Sequence, residues 1–232
     1  IEHDFCPGDL RGILESKAIR GICLQTRNPH PEWSGFPWKE YPAVQFGQSW
    51  ENPVCDVVSS DHVSNSMLAF ARMRKLGYRR IGFVASAVES ETHRGRQSEA
   101  GFLTAQRSVA SSDRVPVLVI GDDINKHHAS WVAKWVKENR IDGILTDADQ
   151  CAGILADGGV RVPDDVGLAS LSVMDDRSLA GIDRHFAEIG RAGLSLLHSL
   201  VVGSDFQISD HARKLLVAGS WVDGDSLPDR AG

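Results

Sequence analysis

Nowhere do the 232 residues hold an apolar run near the roughly 18 uninterrupted positions a membrane-spanning helix needs. The opening segment Ile1-Glu2-His3-Asp4-Phe5-Cys6-Pro7 has neither the basic head nor the apolar stretch of a secretory signal. It also lacks an initiator Met, so the chain is expected to begin inside a longer protein. Cysteine is scarce. Cys6, Cys23, Cys55 and Cys151 stand far apart with no Cys-x-x-Cys pair, which argues against zinc and a disulfide scaffold and fits a reducing cytoplasm. Gly-x-Ser-x-Gly and a Gly-rich phosphate loop are both missing, and the acids Asp147 and Asp149 have no nucleophile beside them. No catalytic group is assigned, and the chain is not expected to be an enzyme. Positive charge is short as well. A net charge of −6 argues against a broad nucleic-acid surface, because phosphate contacts demand clustered Lys and Arg. No internal repeat or low-complexity segment is present.

What is there is apolar material, 42% of the chain, enough for one large domain or two lobes joined by crossing strands. Short apolar runs alternate with amphipathic stretches. The runs predict strands at 21–25, 43–46, 56–58, 80–85, 115–120, 141–146, 166–171 and 214–218. Helices are expected at 9–16, from Val63 (with Met67, Phe70 and Ala71 on one face) to a stop at Gly77, at 97–107, around Trp131–Val136, at 150–157 and at 185–202. Strands separated by helices imply βαβ units and parallel sheets. The stretch 27–40, with three prolines, Trp33 and Trp38, is the least regular.

Several segments carry a resemblance. Leu76-Gly77-Tyr78-Arg79-Arg80-Ile81-Gly82-Phe83, Asp61 before it, and Gly101-Phe102, Asp142-Gly143-Ile144, Val162-Pro163-Asp164-Asp165-Val166, Gly181-Ile182-Asp183 and Ile189-Gly190-Arg191-Ala192 after it stand in one order. Together they are similar to the ligand-binding core of the lactose- and galactose-repressor (LacI/GalR) family of transcription regulators. That resemblance implies an α/β fold of periplasmic-binding-protein type, two lobes of parallel sheet flanked by helices with crossover strands between them. Residues 1–78 and 183–205 would form the N-terminal lobe, incomplete at its start, and 79–182 and 206–232 the C-terminal lobe. It also implies a small-molecule effector, a carbohydrate, held in the interlobe cleft; a homodimer; and operator DNA read by a helix-turn-helix headpiece that this chain does not contain. A secreted solute-binding protein of a sugar transporter is the alternative with the same fold.

A ligand on such a fold sits beyond the carboxyl ends of parallel strands. The residues there with suitable hydrogen-bonding groups are Thr92, Arg94, Arg96, Ser98, Asp147, Asp149 and Asp183, with Trp33 as an aromatic wall for a sugar ring. Loops are polar in any protein, so each of these residues alone is better explained by exposure, and only the convergence of several loops at one sheet edge favours the set. Two positions depart from the family: Ser98 stands where an Arg commonly clamps the ligand, and Ser172 where an acid follows the strand. Other constellations read blandly. His127 and His128, adjacent on a helix, point apart and are read as surface residues; Trp131 and Trp135 are read as packing, and Cys151 as an inert buried thiol. No cofactor or metal is expected.

Overall fold

The computed structural model describes residues 7–25, 36–48, 55–121, 126–174, 178–203 and 211–231, with the side chains of 7–10, 89 and 126–128 excepted. In chain order the elements are α1 (Pro7–Ser16), β1 (Ile22–Leu24), β2 (Ala43–Phe46), β3 (Asp56–Ser60), α2 (His62–Lys75), β4 (Ile81–Ser86), the short α3 (Ala87–Ser90) and α4 (His93–Gln106). They continue with β5 (Leu118–Ile120), α5 (Lys126–Glu138), β6 (Gly143–Thr146), α6 (Cys151–Asp157), β7 (Gly167–Ser170), β8 (Ala180–Asp183), α7 (Phe186–Val202), β9 (Lys214–Val217) and β10 (Ser220–Val222). The chain divides into two units, residues 1–60 with 186–217 and residues 61–185 with 218–232.

The first unit holds a parallel sheet in the order β1-β2-β3-β9. Val44 and Val58 pack against Ile189, Leu196 and Leu197 of α7, so the helix is held by its apolar stripe. Arg213 ties β9 to β3: its backbone N–H donates to Asp56 Oδ1 at 2.8 Å and its guanidinium pairs with the buried Asp56 carboxylate. Reading the sequence put 206–232 with the other lobe. β9 instead runs beside β3, with Val57 opposite Lys214 and Ser60 opposite Val217, and brings the residues up to 217 into the first unit.

In the second unit the order is β10-β8-β7-β6-β4-β5, parallel except for β10. One apolar cluster, including Trp135, Ile154, Leu155 and Ile144, gathers α5 and α6. A second, including Phe70, Met73, Phe102, Phe83 and Leu145, gathers α2 and α4. Helix α2 therefore belongs with this unit, not with the first as the boundary at residue 78 had it. Its contact with α4 is close because Gly101 lacks a side chain: a Cβ there would stand 2.5 Å from the Val63 carbonyl oxygen.

The start of the second sheet shows why its motifs read as they do. Asp142 accepts from Arg79 N at 2.8 Å and Arg80 N at 2.9 Å, aligning the entries of β6 and β4. Gly77 ends α2 with φ of +93°, a conformation open to glycine at little cost. Tyr78 is fully buried behind it. β4 to β7 lie close to their expected positions, but the strand expected from Val115 begins at Leu118. The reason is local: the buried Gln106 amide donates to Val115 O at 2.7 Å and accepts from Val115 N at 3.3 Å, so a side chain takes the place of a neighbouring strand. Strands β8 and β10 were not expected as strands; they are short, and pairing with β7 and with each other makes them so. Of the two tryptophans of α5, Trp135 is buried as expected, whereas Trp131 is 50% exposed.

Replacing Gly101 by Val should lower stability by on the order of 1–3 kcal/mol, since α2 and α4 must separate to admit the side chain. A urea midpoint equal to that of the unmodified chain would contradict this account of the helix pair.

Candidate functional site

Strands β4 to β8 run the same way, so their C-terminal ends Ser86, Ile120, Thr146, Ser170 and Asp183 share one edge of the second sheet. Two helices of this unit begin with a capping side chain. Asp61 caps α2 by accepting from Ser64 N at 3.0 Å, and Thr92 caps α4 by accepting from Gly95 N at 3.0 Å. The edge thus gathers hydrogen-bonding groups on rigid supports.

The expected site residues fall into three groups. Thr92 and Arg94 are half-buried at the start of α4, Asp147 is half-buried just after β6, and Asp183 ends β8. Asp147 Oδ1 accepts from Ser86 N at 3.1 Å, which brings the ends of β4 and β6 together. Thr146 supports that turn, donating to Val84 O at 2.8 Å and accepting from Ala148 N at 3.0 Å. Asp183 accepts from His185 N at 2.8 Å and faces its Nδ1 at 3.2 Å. A second group points elsewhere: Arg96 is exposed with Nη1 donating to Glu91 O at 2.6 Å, and Asp149 is exposed. Ser98 is 2% exposed, one turn before Gly101, and is packed into the helix rather than open. Ser172, the other departure from the family, closes a small turn with Ser170, its N–H donating to Ser170 Oγ at 3.1 Å. Finally, Trp33 lies outside the described residues, as do the side chains of His127 and His128.

Two residues at this edge were not singled out from the sequence. His62, the first residue of α2, is buried, and its imidazole is acted on by Arg184, which follows β8, and by Arg94 of α4. Burial above all, then these two guanidinium charges, lower its pKa from 6.5 to about 3, against the opposing pull of Asp61. The ring is therefore a neutral donor–acceptor at ordinary pH. The only signal in sequence was a His directly after a capping Asp, which is too common to stand out. Cys151, by contrast, is a buried thiol pushed up to about 12 by desolvation, as an inert packing residue should be.

An open parallel sheet whose strand ends gather acids, arginines and capping hydroxyls is the geometry of a small-molecule-binding α/β domain. Over residues 70–227 the sequence matches the family described as the periplasmic binding protein-like domain, and the chain belongs to that family. No curated protein matches the sequence. Solved structures do. A LacI family transcriptional regulator from Enterococcus faecium with bound ribose is 16% identical, with a TM-score of 0.69 over 94% of this chain and 83% of its own. A LacI transcriptional regulator from a Rhodococcus species is 19% identical, with a TM-score of 0.71 over 96% and 83%. The complex of the regulator CelR with cellobiose is 17% identical, with a TM-score of 0.67 over 95% and 69%. At these identities the likeness is one of fold, and it covers nearly the whole chain.

Holding His62 neutral has a consequence for stability. Above pH 6.5 the ring is neutral in both folded and unfolded chains and contributes nothing. As pH falls through 6.5 the unfolded chain takes up a proton that the fold refuses, so stability declines toward acid until about pH 3. Imidazole nitrogen spectra assigned with His62→Gln should show a neutral ring from pH 8 down to 5; an inflection near 6.5 would contradict the burial described.

Proposed function

We propose that this chain is the effector-sensing core of a cytoplasmic transcription regulator. It binds a small molecule, a sugar or related polyol, and does no chemistry on it. Binding biases a conformational equilibrium that controls how the full-length protein, as a homodimer, engages operator DNA through a part outside this sequence. The carrying observation is the convergence of Asp147, Asp183, Thr92 and Arg94 at one strand-end edge, in a fold shared with regulators of which one holds ribose and another cellobiose. A carboxylate such as Asp147 can accept two vicinal hydroxyls, and an Arg can donate to a hydroxyl or ring oxygen. Arg96, Ser98, Asp149 and Trp33 remain in the proposed set with less support, since the first and third are exposed and Ser98 is packed.

The alternative, a secreted solute-binding protein of a sugar transporter, has the family in its favour, but the similar solved structures named above are regulators. Free cysteines at 23, 55 and 151 also suit a reducing compartment better than a secreted one. Among the described residues no helix is long and apolar enough to cross a membrane.

Calorimetry against ribose, cellobiose and a panel of pentoses, hexoses and uronic acids should find a ligand. Asp147→Asn should weaken it roughly ten- to hundredfold, the cost of a lost buried hydrogen bond of about 1–3 kcal/mol. Silence across the panel, or undiminished affinity in the variant, would count against the reading. Light scattering should give about twice the 25.3 kDa chain mass, and a strict monomer at high concentration would remove the dimer from it.

A further inference from the structure

β6 ends in two neighbouring side chains that both reach back to β4. Thr146 Oγ1 donates to Val84 O at 2.8 Å, and Asp147 Oδ1 accepts from Ser86 N at 3.1 Å. Successive side chains of a continuing strand point to opposite faces of the sheet, so adjacent positions do not ordinarily grip one neighbouring strand. Here the strand stops at Thr146. Its hydroxyl also accepts from Ala148 N at 3.0 Å, closing a hydroxyl-anchored turn of which Asp147 is the middle residue. Ala148 O in turn accepts from Cys151 N at 3.1 Å at the start of α6, so the turn is held from its far side as well. Thr146 itself lies in the sheet interior, opposite Val84 on one side and Ser170 on the other, and is buried, whereas Asp147 is half-buried. The one hydroxyl proton of Thr146 goes to Val84 O.

We propose that Thr146 is a positioning residue of the candidate site: it touches no ligand itself and fixes the Asp147 carboxylate at the strand-end edge. Its consequence for binding rests on the effector-sensing reading; its geometry does not. A β-branched residue suits the task, because two heavy atoms on Cβ restrict χ1 and keep the hydroxyl aimed at both partners. Without that hydroxyl, Ala148 N and Val84 O, both on buried residues, each lose a hydrogen bond. The turn then opens, and the carboxylate loses its aim at Ser86 N. The adjacent strand β7 ends in a similar turn without an acid. Ser170 Oγ accepts from Ser172 N at 3.1 Å and donates to Ser172 O at 3.1 Å, around Leu171. Hydroxyl-anchored turns therefore end two neighbouring strands, and of their middle residues only Asp147 carries a side chain that can accept from a hydroxylated ligand.

The test follows the Ser86 amide of the whole chain by hydrogen exchange and nitrogen–proton spectra. In Thr146→Val, Ser86 should exchange about tenfold faster or more, while the amides of Phe83 and Val84 in the same strand keep their protection. Thr146→Ser, which keeps the hydroxyl, should hold Ser86 within about threefold of the unmodified chain. Calorimetry with ribose and cellobiose reads the binding. Whichever sugar the unmodified chain binds should be weakened about tenfold by Thr146→Val and less than about threefold by Thr146→Ser. A merely structural threonine would speed exchange along the whole of β4; that outcome overturns the assignment, as does an undisturbed Ser86 in a folded Thr146→Val. Where circular dichroism shows that Thr146→Val has lost its fold, Thr146→Ser carries the decision. Its looser side chain should move the Ser86 resonance part of the way to its position in Asp147→Ala, and an unmoved resonance overturns the assignment. If Ser86 responds but a bound sugar keeps full affinity in Thr146→Val, the carboxylate so positioned is not one the ligand uses, and the proposal falls. If neither sugar binds the unmodified chain, the effector reading loses support, and the Ser86 amide still decides the positioning.

Discussion

The ring of Tyr78 sets the spacing on which the second unit depends. It is fully buried at the turn between α2 and β4, and two strands pass over it at glycines. A Cβ at Gly143 of β6 would stand 3.0 Å from the ring, and one at Gly167 of β7 2.5 Å from it. The hydroxyl reaches Pro228 O at 2.9 Å and the Arg230 guanidinium lies 4.7 Å from the ring centroid, so the C-terminal segment is held to the same anchor. A close-packed interior leaves such a ring little freedom, and the strands laid on it inherit its position.

From that anchor the strand ends follow. Asp142 binds the N–H groups of Arg79 and Arg80, fixing β6 beside β4, and parallel pairing then carries the register to Thr146 beside Val84. Asp147 closes the far end on Ser86 N. The polar edge is therefore built on two carboxylate clasps, one at each end of the β4–β6 pair, with α2 and α4 brought close by Gly101. Rigid supports of this kind are what a binding site needs, because a ligand's hydrogen bonds are strong only when donors and acceptors are already in place. Burial, with the charges of Arg184 and Arg94, keeps a His, a residue that usually titrates near neutrality, uncharged at the start of α2.

Much of the fold was legible along the chain. Apolar runs and helical stripes located β2, β4, β6, β7, β9 and α2, α5, α6 and α7 to within a few residues, because burial on a sheet or helix face imposes its period on the sequence. The motifs were legible too, and the structure supplies their reasons: Asp142 as a clasp, Gly77 as a helix stop, Gly101 as a helix contact. The candidate site was legible only as a set of loops. Of its named residues, Thr92, Arg94, Asp147 and Asp183 stand half-buried where strand ends and a helix start converge, while Arg96 and Asp149 face solvent.

Local pattern alone determined the α/β class of fold and the order of most elements, since period, caps and turn residues act over a few positions. Tertiary structure alone decided the rest, because it depends on partners distant in sequence. β9 joined the first sheet through Asp56 and Arg213, 157 residues apart. Gln106, rather than a strand, satisfied Val115. β8 and β10 became strands by pairing. His62, not singled out along the chain, feels the charges of Arg184 and Arg94 only once the second unit is packed, because charge acts through space rather than along the sequence.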